Sequence, residues 1–411
     1  MKRRVVITGM GVLSSIGNTK EEMWKNLVEG VCGIAPITHF DASSMKVKIA
    51  GEVKNLEPER YFDSTVTKRL DRSTLFALIA SKQAYQEAHL PKTINHDRFG
   101  VYVSSGIGGL ATIEEETQKM IERGSDRISP FFVPNSIINL IGGQIAIQFQ
   151  AKGPNIPIVT ACASGNNAIG EAMRAIQTNH IDYAFCGASE APITALGVGG
   201  FAAMRALNTS NDPHQSSIPF DKRRSGFVMA EGSGILIIEE YNHAKQREAH
   251  ILGELVGYGT NCDAYHITSP DPDAEGMTKC MTLALKDAKL KPHQIDYINA
   301  HGTSTPLNDR YETRAIKCVF KKDAYLIPIS STKASIGHSL AAAGAIEAII
   351  TTMALQNGVV PPTIHYEETD PECDLNYTAN HPISKELKYA MSNSFGFGGQ
   401  NAVIIIKKYE E

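Results

Sequence analysis

The sequence predicts an α/β fold in which buried strands alternate with helices, and two observations support this prediction. Five short apolar runs occur before residue 242, and longer stretches compatible with helices separate them. A second series of apolar runs follows in the same order. One such echo can arise by chance, whereas five in one order indicate a duplicated unit. We therefore predict two halves, residues 1–250 and 251–411.

The predicted strands pair across the two halves in chain order. Those of the first half span residues 5–8, 98–106, 158–160, 181–187 and 234–241, and their counterparts span residues 255–259, 295–302, 329–335, 389–393 and 403–409. Since ligands bind at the carboxyl ends of strands in open α/β sheets, we expect equivalent strand ends to share one site.

Cys162 lies where a predicted strand gives way to a helix. Small residues surround it, and apolar side chains then recur with helical spacing at 168, 169, 172, 173 and 176. Unpaired backbone N–H groups and the helix dipole at such a position favour a thiolate. Cys162 is therefore a candidate nucleophile, and the matching elbow of the second half is predicted at Lys333.

Composition excludes several classes of protein. The chain has 411 residues, of which 42% are hydrophobic and 20% charged, and a net charge of −4 gives no global signal for nucleic acid. The sequence contains neither a leader-like apolar stretch nor a run of about 20 apolar residues, which predicts a cytoplasmic protein without membrane insertion. Its seven cysteines include no C-x-x-C pair, so we expect no metal site.

Two histidines and a lysine extend the candidate site. His301 ends a predicted strand, and His338 follows Lys333 by five residues. Asp309 and Glu312 share one helical face if a helix begins after Pro306, and could neutralise Lys333.

Two mechanisms compete for these residues. A cysteine hydrolase would use Cys162, His301 and Asn393 in the papain-like order. An acyl-transfer enzyme that also makes a carbanion needs a nucleophile and several donors to an enolate, which Cys162, both histidines and Lys333 supply. We favour the second mechanism.

Four motifs then carry a resemblance. They are Thr-Ala-Cys-Ala-Ser-Gly at 160–165, His-Gly-Thr-Ser-Thr-Pro at 301–306, the stretch 333–338, and Asn-Ser-Phe-Gly-Phe-Gly-Gly at 393–399. Together they resemble the elongating beta-ketoacyl-acyl-carrier-protein synthases, of the type II class. The resemblance implies a thiolase-like fold, a duplicated five-layer αβαβα sandwich. It also implies a decarboxylative condensation of malonyl- and acyl-acyl-carrier protein in fatty-acid elongation, without a cofactor or metal.

The resemblance further implies a role for each residue. Cys162 would carry the acyl group, its N–H and that of Phe397 would form the oxyanion hole, and His301 and His338 would stabilise the enolate. Lys333 would join Asp309 and Glu312 in a supporting network. The remaining implied sets are a pantetheine tunnel of Thr303, Thr305, Thr268 and Ser269; a gate of Phe395 and Phe397; an acyl pocket of Ile107 with Phe132 of the second subunit of a homodimer; and a carrier-protein patch of Lys68, Arg69, Arg72, Arg127 and Arg205.

Four positions depart from the family pattern and leave the pathway open. Ser225 stands where aspartate is usual, Ala230 where glycine is common, Ser339 where leucine is frequent, and Gln400 where threonine or histidine is usual. A polyketide ketosynthase is therefore the alternative to fatty-acid elongation. A non-catalytic chain-length partner is disfavoured by the presence of Cys162, and a thiolase using coenzyme A by the histidine pair with Lys333.

Overall fold

A computed structural model of the chain describes residues 2–410. Its strands are β1 (Val5–Leu13), β2 (Ala35–Pro36), β3 (Ile49–Ala50), β4 (Phe99–Ser104), β5 (Tyr183–Glu190), β6 (Gly232–Glu240), β7 (Gly253–Cys262), β8 (Tyr297–Asn299), β9 (Ile329–Ser330), β10 (Val359–Val360), β11 (Ile383–Ser384), β12 (Tyr389–Gly396) and β13 (Gln400–Lys407). Nine of them form one mixed sheet in the order β4-β5-β6-β1-β7-β13-β12-β8-β9. Since β1, β5 and β6 are buried along their whole length, they read in the sequence as nearly continuous apolar runs.

The helices lie in three layers, with the two halves of the sheet between them. They are α1 (Lys20–Val28), α2 (Ser64–Thr67), α3 (Arg72–Ala88), α4 (Leu110–Arg123), α5 (Phe132–Ser136), α6 (Asn139–Phe149), α7 (Ser164–Gln177), α8 (Ala195–Ala203), α9 (Pro213–Ser216), α10 (Tyr241–Gln246), α11 (Glu275–Ala288), α12 (Pro306–Phe320), α13 (Lys333–Ile336) and α14 (Ala343–Asn357). Helix α3 packs on β1 and β6, α11 packs on β7 and β13, and α7 and α14 lie between the halves. This arrangement confirms the predicted duplicated five-layer fold.

The sheet order makes the duplication explicit. Outward from the central antiparallel contact of β1 with β7, the first half runs through β6, β5 and β4, and the second through β13, β12 and β8. These are the pairs that the sequence echoes predicted. The remaining predicted strands are present, with one exception: no strand forms at residues 158–160. That run is extended, but its segment forms only an isolated bridge, from Asn155 to Val101.

The predicted counterpart of the Cys162 elbow was wrong. A short 3-10 turn, Ala161–Ala163, precedes α7, and the matching turn, Leu340–Ala342, precedes α14. Ala161 and Leu340 share the left-handed backbone, with φ values of 48° and 49°. The equivalent of Cys162 is thus Ala341, because α13 and the loop after it are inserted between β9 and this turn.

Between residues 2 and 410, every helix is too short or too polar to cross a bilayer.

Candidate active site

Cys162 sits in a tight turn that directs its backbone N–H into a cavity. The left-handed Ala161 turns the chain before α7, as at other sites where backbone strain serves a reactive group. Gly396 at the end of β12 packs against this turn so closely that a Cβ there would lie 2.7 Å from the Thr160 carbonyl oxygen and 3.2 Å from the Cys162 nitrogen. The N–H groups of Cys162 and Phe397 both point at the Cys162 sulfur.

Both predicted histidines lie beside the sulfur. The Nε2 atom of His338 is 3.1 Å from Cys162 Sγ. One ring nitrogen of each histidine and the sulfur lie within 4.8 Å of one another. The two rings meet edge to face with centroids 5.3 Å apart, and Phe227 and Phe395 pack against their outer sides. The structure therefore brings together three residues from three separate motifs.

The electrostatics of this cluster differ from the prediction of a resting thiolate. Burial raises the pKa of Cys162 to about 12, although the nearby positive charge of Lys333 acts in the opposite direction. Burial first, and then Lys333, lower the pKa of both His301 and His338 well below the usual range. Helix and backbone dipoles are outweighed because the sulfur is removed from water. At neutral pH the site holds a thiol beside two neutral imidazoles.

The buried lysine has a partner that the sequence analysis missed. Lys333 forms an ion pair with Glu347 of α14, and both side chains are almost fully buried, at 1% and 0% exposed. The predicted pairing of Lys333 with Asp309 and Glu312 is wrong in this respect. Glu347 as the one charged residue of the helix Ala343–Asn357 was the available signal, because a buried charge requires a partner.

Glu312 and Asp309 instead support the backbone around His301. Glu312 accepts hydrogen bonds from the N–H groups of His301 and Gly302, both at 2.8 Å, and from Asn393 Nδ2 at 3.1 Å. Its carboxylate fixes the peptide that carries His301, although burial raises its pKa to about 7.

Asp309 accepts a hydrogen bond from the Phe220 N–H at 2.8 Å and faces Arg224 at 3.8 Å.

The side chain of Asn393 contacts Glu312 and not His301. Within residues 2–410, His301 Nδ1 has no hydrogen-bond partner. A papain-like triad needs Asn393 on that nitrogen, so this geometry does not support it.

A cavity of about 500 Å³ leads to the sulfur and the histidines. Thr303, Thr305, Thr268 and Ser269, the four residues predicted for a tunnel, all line it. Phe395 and Phe397 line its inner part, and Phe397 stacks on Phe201. The loop at 397–399 is tied to the opposite wall, since the Gly398 N–H donates to the Ile267 carbonyl at 2.7 Å.

Ile107 lies behind the sulfur and away from this cavity. It packs, half-buried, in an apolar cluster with Cys162, Ile193 and Leu340. The loop that carries it is held by buried Glu190, which accepts from Ser105 Oγ at 2.7 Å and from the N–H groups of Gly106 and Ile107. Phe132 begins α5, away from the cavity lining of its own chain.

The predicted basic patch is only partly available. Lys68, Arg69 and Arg127 are exposed, and Arg205 lines the cavity. Arg72 is different, because it forms two hydrogen bonds with buried Glu231, at 2.6 and 2.8 Å. Its charge is therefore neutralised within the chain, and Arg72 is not the free cation that the sequence analysis predicted.

The four departures from the family pattern leave this cluster intact. Ser225 lines the cavity and accepts from Asn208 Nδ2 at 2.9 Å. Ala230 and Ser339 are buried, and Gln400 is half-buried. None replaces Cys162 or a histidine, and the structure gives no account of why serine stands at 339.

Comparison with known proteins places the fold and this site in context. Residues 2–244 match the family model of the beta-ketoacyl synthase N-terminal domain, and residues 252–367 that of the C-terminal domain. The chain is 50% identical, over its full length and 99% of the relative, to 3-oxoacyl-[acyl-carrier-protein] synthase 2 of Synechocystis sp.. It is 46% identical, over 99% of both chains, to the enzyme of that name from Coxiella burnetii. Among solved structures it resembles AntDE:AntF, a type II PKS acyl-carrier protein in complex with its ketosynthase bound to the hexaketide, with a TM-score of 0.93, 37% identity and full coverage of both chains.

Proposed function

Since the chain belongs to the beta-ketoacyl synthase family and acts as a 3-oxoacyl-acyl-carrier-protein synthase of type II, we propose that Cys162, His301 and His338 carry its two chemical steps. The observation behind this proposal is the 3.1 Å contact of Cys162 Sγ with His338 Nε2 at the end of the cavity. The reaction elongates fatty acids by two carbons, and each step below is assigned to atoms of this chain.

In the first step the Cys162 sulfur attacks the thioester of an acyl-acyl-carrier protein. Because Cys162 rests as a thiol, its proton passes to His338 Nε2 as the C–S bond forms, and then to the departing pantetheine thiolate. The N–H groups of Cys162 and Phe397 stabilise the oxyanion, and one such donor contributes about 3–4 kcal/mol. The acyl group is then held on sulfur.

In the second step malonyl-acyl-carrier protein loses carbon dioxide beside the same histidines. The resulting enolate oxygen accepts hydrogen bonds from a ring N–H of His301 and from Nε2–H of His338, after water has moved the single ring proton of His338 from Nδ1 to Nε2. Burial and Lys333 lower the pKa of both rings, so both stay neutral. The carbanion attacks the acyl-Cys162 carbonyl, expelling the thiolate and giving a 3-oxoacyl product. The sulfur regains its proton from the neighbouring imidazole or water.

The cavity suits the prosthetic arm of a carrier protein. Thr303, Thr305, Thr268 and Ser269 offer hydroxyl groups along a path to the sulfur, as amide-rich pantetheine requires, and Phe395 and Phe397 form its gate. Arg205 at this cavity, with exposed Lys68, Arg69 and Arg127, gives an acidic carrier its electrostatic contacts.

We assign the acyl chain to the apolar cluster around Ile107, with Phe132 of a second subunit. Each methylene contributes about 0.8 kcal/mol, so steric fit in this pocket sets chain length. Condensation assays with acyl-carrier primers of graded length measure this chain-length preference.

Cytoplasmic location and the division of the chain at residue 250 remain predictions of the sequence.

A homodimer is supported by the free edge of the sheet. Segment 154–160 runs along β4, and among residues 2–410 no strand lies on its other side. Ile156 and Val159 on this segment are 47% and 46% exposed, as at an interface. Light scattering of the intact protein tests for a dimer, and Ile156→Asp should yield monomers while Leu326→Asp, at another exposed apolar residue, should not.

Malonyl decarboxylation without a primer tests the role of the histidines. The paired substitution of His301 and His338 by Ala should abolish carbon dioxide release from malonyl-carrier protein and leave some acylation of Cys162. Decarboxylation at the wild-type rate in the double variant would contradict the assignment. A polyketide primer is the alternative, although the relatives at 46–50% identity are named 3-oxoacyl-[acyl-carrier-protein] synthase 2. The same assay with both primer classes separates the two.

A further inference from the structure

A second cluster of side chains suited to a metal lies outside the candidate active site. Cys32, His214 and His365 place one potential ligand atom each within 4.8 Å of the other two. The Nδ1 atom of His214 is 3.1 Å from Nε2 of His365, and the rings meet edge to face. Cys32 and His365 are half-buried, and His214 is exposed, so an ion can enter from solvent. None of the three takes part in the steps above.

The spacing matches a tetrahedral zinc site. Zinc–nitrogen bonds of 2.0–2.1 Å at the tetrahedral angle separate two imidazole nitrogens by about 3.3 Å, close to the distance found here. One thiolate and two imidazoles form a ligand set that zinc prefers, and magnesium or calcium would require oxygen ligands. A fourth position remains for water.

The charges around the cluster favour a cation on balance. Asp212, two residues before His214 in the chain, acts electrostatically on both Cys32 and His365, and Lys54 acts on Cys32 in the opposite sense. The imidazole of His365 is half-buried. Its Nδ1 is buried without a hydrogen-bond partner within residues 2–410. The protein's own groups therefore leave this ring incompletely satisfied.

The cluster connects three segments that support the Lys333 loop. Gly33, next to Cys32, donates its N–H to the Ser335 carbonyl at 2.8 Å. Ser217, three residues after His214, donates its hydroxyl to the Lys333 carbonyl at 2.6 Å. His365 comes from the second half of the chain, in the connection between β10 and β11. An ion here would join both halves beneath α13.

We propose that Cys32, His214 and His365 bind one Zn²⁺ ion, which braces the loop that carries Lys333 and His338. The Cys32 thiol loses its proton to solvent on binding, and the thiolate and the two neutral imidazoles become ligands. The ion braces the loop and takes no part in condensation, because none of its three ligands lines the cavity that reaches Cys162.

Cobalt titration of the Cys162→Ala protein tests this proposal. The substitution removes the active-site thiol, which lies in another group with metal-ligand spacing, so the outcome does not depend on condensation activity. We expect one Co²⁺ per chain, with tetrahedral d–d bands and a thiolate charge-transfer band, and displacement by Zn²⁺. The bands should disappear on adding Cys32→Ser and persist on adding Cys318→Ser, which changes an exposed cysteine on α12.

A second measurement leaves Cys32 unchanged. Zn²⁺ should protect Cys32 of the folded Cys162→Ala protein from maleimide, located by peptide mass spectrometry, and should raise its melting temperature. Absence of a charge-transfer band in Cys162→Ala, a band that survives Cys32→Ser, or Cys32 labelling unaffected by Zn²⁺ would each overturn the proposal.

Discussion

The buried pair of Lys333 and Glu347 allows stability and reactivity to be separated. Lys333→Met removes the cation and leaves Glu347 as an unpaired carboxylate that is fully excluded from water. Breaking a buried pair in this way costs about 3–5 kcal/mol of unfolding free energy. Burial raises the pKa of Glu347 to about 7 even with Lys333 beside it, and removing the lysine raises that pKa further, so in the folded variant the carboxylate takes up a proton. The loss should therefore grow with pH, and urea unfolding at pH 6 and pH 8 measures it.

The double variant Lys333→Met with Glu347→Met supplies the control. Replacing both charges by apolar side chains of similar size is commonly neutral or stabilising, so unfolding free energy should return to within about 1 kcal/mol of wild type. Reactivity should not return. Lys333 lowers the pKa of Cys162, hence its loss leaves less thiolate and slows both acylation and iodoacetamide alkylation in the single and double variants.

Either of two results would contradict these roles of Lys333 and Glu347. A Lys333→Met protein that loses less than about 1 kcal/mol would show that Glu347 has another source of compensation. A double variant with wild-type alkylation and acylation rates would show that the charge of Lys333 does not act on Cys162.

Two further substitutions test the residues around the sulfur. Glu312 has a pKa of about 7 in the folded protein against an ordinary 4.5, so the folded state holds this proton more tightly than the unfolded state. The free energy of unfolding of the wild-type protein should therefore fall by about 3 kcal/mol as the pH rises from 4.5 to 7. Glu312→Gln removes this dependence, and urea unfolding of both proteins from pH 5 to 8 should show wild type losing stability relative to the variant; a constant difference would contradict the raised pKa. Gly396→Ala forces a Cβ against the Thr160 carbonyl and the Cys162 nitrogen, and by displacing an oxyanion donor should slow acylation about 100- to 1,000-fold. Gly200→Ala, where a Cβ meets nothing within 4 Å, is the control and should acylate normally.

Much of the fold was predictable because buried strands leave apolar runs in the sequence. The echo of β1 in β7 and of β6 in β13 could be read without a structure, and the sheet order confirms it. The elbow of the second half was placed at Lys333 because Ile329–Ser330 resembles the run before Cys162. An insertion moved the true counterpart to Ala341, and pattern matching over short apolar runs does not detect insertions.

The candidate site was predictable in its residues and less so in its contacts. Cys162, His301 and His338 come from distant motifs, and the structure brings them together. The partner of Lys333 was missed because the three-dimensional position of α14 decides it, whereas Asp309 and Glu312 were chosen because they share one face of a helix. The resting state of the sulfur was missed for a similar reason, since a sequence shows the helix start but not the burial that raises the pKa.

Intact-protein mass spectrometry determines whether Cys162 holds the acyl chain. Incubation with acyl-acyl-carrier protein, without malonyl-carrier protein, should add the mass of one acyl group per chain. The modified peptide should contain Cys162, and the adduct should be absent from Cys162→Ala. Addition of malonyl-carrier protein should discharge it as a 3-oxoacyl product. An adduct of the same mass on Cys162→Ala, or one mapped to a different cysteine, would contradict the account.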